Sequence, residues 1–262
     1  MTSAFEPINP RSCVKSGLSL RRLALRMFLA GTTVWIMTQH RPVALQPSTE
    51  WERIFHSYHP LTISYAPGEM ICQVGSYVAG IQLIVQGVVS DMVLTQDGVP
   101  RDSDILGTGD LIGLEILERN SDGLSISLCR ALTAVELLFI EKSQLESALD
   151  DNLALQQTFL RYAVSRFVLT RKDPRQRPPV EAQLCHLLLR LGEACGLLVD
   201  DSDITLPAEI TVRTLGELLC ISSRQLRHAR RAIESLEICE SGIQFDLDEA
   251  RQIISSDWPT EA

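Results

Sequence analysis

Apolar residues along this chain follow two rhythms, and the change from one to the other falls near residue 140. Before it, short runs are separated by turn residues. Leu61 to Tyr65, Met70 to Val74, Gln82 to Val85, Val88 to Leu94, Leu128 to Leu132 and Val135 to Ile140 have the length and β-branched content of strands. Pro67-Gly68, Gly75, Gln86-Gly87, Gln96-Asp97-Gly98 and Gly107-Thr108-Gly109-Asp110 mark the turns. Short strands at this spacing predict a small β-barrel or jelly roll, an architecture that can enclose one small ligand.

After it the period lengthens. From Glu141 to Lys172 there is neither Pro nor Gly, and Leu153, Leu160 and Phe167 recur every seven residues with Gln156, Ala163 and Thr170 between them. This predicts one long helix with a narrow apolar seam. The seam either meets its copy in a second subunit or packs on its own barrel. Asp173-Pro174-Arg175-Gln176-Arg177-Pro178-Pro179 ends the helix as a short hinge. Val180 to Cys195 then returns to helical spacing through Leu184, Leu187, Leu188 and Leu191.

Residues 210 to 238 read as two helices around a three-residue turn, Cys220-Ile221-Ser222. Thr211 is placed to cap the first helix, whose apolar side is Leu215, Leu218 and Leu219. Ser222 and Gln225 have the spacing of a capping box for the second. Leu226, Ala229, Ile233 and Leu236 form its packing stripe, which leaves Ser223, Arg224, Gln225, Arg227, His228 and Arg231 facing outward. That is the layout of a DNA-reading helix-turn-helix: side chains at the start of such a helix reach base edges and phosphates in a major groove. Arg224 can read a guanine and Gln225 an adenine, with Thr211, Ser222, Ser223, Arg227 and Arg231 on phosphates. The bland alternative is a solvated, arginine-rich helix.

Charge sharpens this picture. The 262 residues carry −9, yet residues 211 to 231 hold five arginines against Glu217, a local +4. Residues 1 to 36 are also +4, which leaves −17 on the rest. An acidic body with one basic helix pair fits focused docking on DNA rather than adhesion along its length.

The seven cysteines, Cys13, Cys72, Cys129, Cys185, Cys195, Cys220 and Cys239, include no C-x-x-C pair and none closer than ten residues. Neither a disulfide framework nor a zinc spacing emerges, which points to the reducing cytoplasm and leaves a redox role open. His56 and His59, three apart, are the one candidate metal pair, and a pair alone is weak, so no metal site is assigned. No P-loop, G-x-S-x-G, H-E-x-x-H or paired-carboxylate motif is present, so no enzyme signature is read.

Arg21, Arg22 and Arg26 precede the apolar run Met27 to Met37, which imitates a signal peptide. The run is too short to span a bilayer, and no small-residue cleavage site follows cleanly. An unfolded upstream extension before a start at Met37, a weakly ordered tail and a membrane-associated segment remain as readings.

From Leu61 to about Ser255 the order of parts resembles Crp/Fnr-type transcription regulators. The resemblance rests on Tyr65-Ala66-Pro67-Gly68-Glu69-Met70-Ile71 with Gly75, on Gln86-Gly87-Val88-Val89, on Gly109-Asp110-Leu111-Ile112-Gly113, and on the helix-turn-helix. Ile238 to Phe245 is similar to the family's two-stranded wing and Asp248 to Ile254 to its closing helix. Ile112-Gly113-Leu114-Glu115 and Arg224-Gln225-Leu226 resemble the YeiL-like branch.

The resemblance implies an α+β chain: an unstructured extension over 1–36, a β-barrel or jelly-roll effector domain over 37–140, a dimerisation helix over 141–173 and a winged helix-turn-helix over 174–262. It further implies a homodimer seamed by Leu153, Gln156, Leu160, Ala163 and Phe167, a palindromic DNA operator, RNA polymerase as a partner, and an effector pocket at Gly113, Glu115, Ser125, Ile126 and Ser127.

Departures limit the carry-over. Cyclic-nucleotide-responsive members have a Glu directly after the Gly and then an Arg-Ser/Thr-Ala triplet, whose arginine holds the cyclic phosphate. Here Leu114 follows Gly113, Glu115 comes one place late, and the triplet reads Ser125-Ile126-Ser127. A buried phosphodiester needs a cation or several N–H donors, so cyclic AMP is not expected by the usual mode. An iron–sulfur cluster is not expected either, since only Cys13 precedes Cys72. Arg224 and His228 stand where the family commonly places a Glu and an Arg that read bases, so the operator should differ from the usual half-site. The remaining alternative is a ligand- or partner-binding module that does not bind DNA.

Overall fold

The computed structural model describes residues 48–94, 100–117, 122–170, 178–197 and 203–257, all within one compact unit. The N-terminal run up to Met37 and residues 171–177, most of the expected hinge, lie outside these residues.

The barrel opens with helix α1 (Ser48–Ser57), followed by β1 (Leu61–Tyr65), β2 (Met70–Cys72), β3 (Gly80–Gln86), β4 (Val89–Leu94), β5 (Pro100–Leu106), β6 (Leu111–Ile112), a 3-10 turn at Leu114–Leu117, β7 (Ser127–Ala131) and β8 (Val135–Glu141). These form two antiparallel four-stranded sheets, in the orders β1-β8-β3-β6 and β2-β7-β4-β5. Burial explains their different sequence textures. In the first sheet, Ile84, Ile112 and Leu137 face a core shared with Val89, Leu106, Cys129 and Ala131 of the second. Ile81, Leu83, Leu138 and Ile140 face the helices, through Phe55, Leu145, Leu155 and Tyr162. A sheet covered on both faces needs near-continuous apolar runs, whereas β7 alternates: Ser127, Cys129 and Ala131 are buried, Leu128 and Arg130 half-buried.

The expected single helix is two. Helix α2 (Lys142–Asp151) and helix α3 (Leu153–Thr170) meet at Asn152, whose backbone is extended (φ −136°, ψ 97°) and whose Oδ1 accepts the Leu155 N–H at 3.1 Å. Asn competes with the helix for its own backbone and is at home as a cap, which is why the chain breaks there despite having neither Pro nor Gly. Helix α3 is tied to the barrel by Tyr162. Its hydroxyl accepts from the Leu111 N–H (2.9 Å) and donates to Asp110 Oδ1 (3.4 Å), while Asp110 Oδ2 takes the Gly107 N–H (2.9 Å). Asp110 thereby ties together the turn that Gly109 makes at φ +89°.

The C-terminal part comprises α4 (Val180–Ala194), β9 (Asp203–Pro207), α5 (Val212–Leu219), α6 (Ser223–Arg230), β10 (Glu237–Cys239), β11 (Gly242–Asp246) and α7 (Leu247–Asp257). The wing is a three-stranded sheet in the order β10-β11-β9, one strand more than the expected pair. Among the described residues no helix is long and apolar enough to cross a membrane. His59 lies past the end of α1 at φ +50°, so it and His56 do not share a helical face, and the described residues hold no cluster of three or more metal-ligating side chains.

Candidate nucleic-acid interface and barrel interior

Two capping boxes fix the helix pair. Thr211 Oγ1 accepts the Thr214 N–H (3.2 Å) and Thr214 Oγ1 accepts the Thr211 N–H (3.3 Å) at the start of α5. At the start of α6, Ser222 Oγ accepts the Gln225 N–H (3.3 Å), while Gln225 Oε1 accepts from the Ser222 N–H (3.0 Å) and hydroxyl (2.7 Å). Between them Cys220 sits in the left-handed region (φ 53°, ψ 40°), turning the chain sharply. Leu226 and Ala229 of α6 are buried with Leu215 and Leu218 of α5. Ser223, Arg224, Gln225, Arg227, His228 and Arg231 are all exposed.

One detail was not legible from spacing. The helix ends at Arg230, so buried Ile233 and Leu236 belong to the following turn, and Arg231 is its C-cap. Gln225 spends its carbonyl oxygen on the cap, so a bidentate contact to adenine from Gln225 gives up bonds worth about 1 kcal/mol.

The helix-turn-helix touches the barrel through charge. Glu217 of α5 accepts from Arg213 Nε (2.8 Å) on its own helix and from Arg130 Nη2 (2.9 Å) on β7. The hydrogen bond from Arg130, then that from Arg213, holds the Glu217 carboxyl below its usual range. A cavity of about 330 Å³ lies beside this junction, lined by Pro67, Gly68, Arg130, Glu209, Arg213 and Glu217. Arg190 of α4 makes a second tie, to Asp104 Oδ1 (2.6 Å) and the Ile105 carbonyl (3.3 Å) on β5. Partners 86 and 87 residues apart leave no local signal in a sequence.

The expected pocket residues divide. Gly113 (φ +89°) lies against Gly80 and Val78, with no room for a Cβ. Glu115 is half-buried on the 3-10 turn, and Ile126 is 65% exposed. Ser125 and Ser127 are buried, but they face two cysteines. Ser125 Oγ donates to Cys72 Sγ (3.7 Å) and to the Ser127 carbonyl (3.0 Å), and Ser127 Oγ lies 3.6 Å from Cys129 Sγ. Cys72 and Cys129 are cross-strand partners of β2 and β7, at a shift in the register. Gln82 pairs with Ile112 across β3 and β6, and its buried Oε1 has no hydrogen-bond partner among the described residues. Sequence reading missed Gln82, which sits inside an otherwise apolar run.

The expected dimer seam is largely uncovered. Leu153 is 68% and Leu160 63% exposed, with Gln156 exposed and Ala163 half-buried beside them. The residues that pack on the barrel are Leu155, Phe159 and Tyr162, a different stripe of α3. The side chain of Phe167 lies outside the described residues.

A jelly-roll barrel joined by helices to a winged helix-turn-helix defines the architecture of Crp/Fnr-type regulators, and this chain has that fold. Residues 62–152 match the family model of the cyclic nucleotide-binding domain. The structure is similar to FixK2 from Bradyrhizobium japonicum, at TM-score 0.54 and 17% identity, covering 74% of this chain and 96% of that one. It is equally similar (TM-score 0.54, 16% identity, 82% and 94% covered) to a candidate cyclic nucleotide binding protein from Ruegeria pomeroyi. The transcriptional regulator TTHA1359 of the Crp/Fnr family from Thermus thermophilus aligns at TM-score 0.49 and 18% identity, with 76% and 100% covered. No curated protein matches the sequence. Nothing in these comparisons singles out the YeiL-like branch.

Proposed function

We propose that this protein is a dimeric, sequence-specific DNA-binding transcription regulator of the Crp/Fnr type, acting in the cytoplasm on a palindromic operator and on RNA polymerase. The observation that carries it is α6: a doubly capped helix buried on Leu226 and Ala229 that presents Ser223, Arg224, Arg227, His228 and Arg231 to solvent. Capping fixes the helix before contact, so little ordering entropy is lost on binding. In this reading Arg224 and His228 read bases, Gln225 does so at the expense of its cap, and Thr211, Ser222, Ser223, Arg227 and Arg231 hold phosphates.

Two heads need a fixed spacing, which a dimer seam of Leu153, Gln156, Leu160, Ala163 and Phe167 supplies. The barrel is the sensor. Its triplet offers hydroxyls where a cyclic phosphate needs a cation, and Arg130, the nearest arginine on β7, points to the opposite face from Ser127 and Cys129. An effector other than cyclic AMP or an iron–sulfur cluster fits this interior, bounded by Gly113, Glu115, Ser125 and Ser127.

A mobility-shift titration of the purified protein tests the reading, using its own promoter region and random DNA at two salt concentrations. Retention on the promoter at a salt that releases random DNA is the expected result. Equal affinity for both DNAs, or none, supports instead a ligand-binding module that does not read DNA.

A further inference from the structure

Cys72 and Cys129 face one another across β2 and β7, inside the barrel and at the edge of its second sheet. Cross-strand partners in an antiparallel pair stand about 4.5–5.5 Å apart at Cα, within the span of about 4.4–6.8 Å that a disulfide accepts. The two thiols are not equivalent. Cys129 is 1% exposed and has the Asp91 carboxylate at 3.6 Å, whereas Cys72 is half-buried on an edge strand between exposed Met70 and Val74. Ser125 and Ser127 supply a hydroxyl to each sulfur. No other cysteine among the described residues has a cysteine as its strand partner.

We infer that Cys72 and Cys129 form a peroxide-reactive dithiol, with Cys72 the attacking sulfur, Cys129 the resolving one, and a hydroperoxide as the oxidant. The site stands whether or not the protein binds DNA. Its electrostatics suit these roles. The hydrogen bond from the Cys129 thiol, opposed by burial and joined by the one from Ser125, brings the Cys72 thiol down to about 7. The same bond to Cys72, together with burial and the Asp91 charge, holds Cys129 far above the ordinary thiol range, so its proton stays on.

The chemistry balances. The Cys72 thiolate attacks one oxygen of ROOH; an S–O bond forms, the O–O bond breaks, and the departing alkoxide takes a proton to leave as ROH. The Cys129 sulfur then attacks the Cys72 sulfenic acid. The S–S bond forms as the S–O bond breaks, and the departing hydroxide leaves as water with the Cys129 proton. Two thiols are oxidised and one peroxide is reduced by two electrons.

The test uses the full-length protein, titrated with hydrogen peroxide and digested without reductant. The expected product is a Cys72–Cys129 cross-linked peptide with a mass loss of two hydrogens. In Cys129→Ala, Cys72 should stop at the sulfenic acid, captured by dimedone. Alkylation of Cys72 should rise with pH to a plateau above about 7, and in Cys129→Ala the rate at pH 7 should fall roughly tenfold, with Cys129→Ser restoring much of it. Circular dichroism confirms that the variants fold. Cross-links among other cysteines only, or alkylation of Cys72 no faster than that of exposed Cys220 in the same sample, would overturn the inference.

Discussion

Arg224 lies in the first turn of α6 and Arg231 at its C-cap, so in the proposed reading the two arginines would meet DNA differently. Arg224→Ala should cost about 1–3 kcal/mol on the true operator and much less on random DNA, because it removes a base contact. Arg231→Ala should weaken both alike and flatten the slope of log K against log salt by about one unit, because a phosphate contact releases a counterion whatever the sequence. Equal losses on both DNAs for Arg224→Ala would make it a backbone clamp. Between the helices, Cys220 holds a left-handed conformation that costs an L-residue about 1–2 kcal/mol. Cys220→Gly relieves that strain at the expense of chain entropy, so thermal unfolding should show no loss of stability and a gain of up to about 1 kcal/mol. Capping is legible at this scale: Ser222 and Gln225 announce their box by spacing alone. The partner of Glu217 is not, since a carboxylate on an amphipathic helix gives no hint that an arginine 87 residues earlier will meet it.

Among the elements, those with strong periodicity were legible and those with mixed texture were not. Strand β5, Pro-Arg-Asp-Ser-Asp-Ile-Leu, is polar because it lies at a sheet edge, and it carries no apolar rhythm to read. The stop at Asn152 was visible in principle, because an Asn three residues before a newly bonded N–H is a helix-start signal. That break leaves the seam of α3 independent of the buried face of α2. Replacing Leu160 and Phe167 together by Glu should therefore yield folded monomers with operator binding lost, because two heads must reach half-sites about one helical turn apart. Sedimentation as a dimer would place the interface elsewhere.

For the molecule as a whole, the barrel and the helix-turn-helix share one ion pair, Arg130–Glu217, that responds to acid. Glu217 has a lower pKa folded than unfolded, so its contribution is complete above the unfolded value, about 4.3, and is lost as pH falls through the folded one. Hydrogen exchange on β7 and α5 should accelerate as pH falls below that unfolded value, beyond the intrinsic rate, and Glu217→Gln should show that looseness already at neutral pH. The side chain is 36% exposed, and solvent screening keeps the effect small. The interior gives a further expectation: calorimetry should find cyclic AMP binding no tighter than about millimolar, roughly −4 kcal/mol, and micromolar binding would restore the usual mode.

Glu217 also has an evolutionary consequence. One carboxylate serves both α5 and β7, so a mutation at position 217 reaches the helix pair and the barrel together. Drift at position 217 should be tolerated only in lineages where position 130 drifts as well, and a set of related sequences should show those two positions changing together while Arg213 varies more freely.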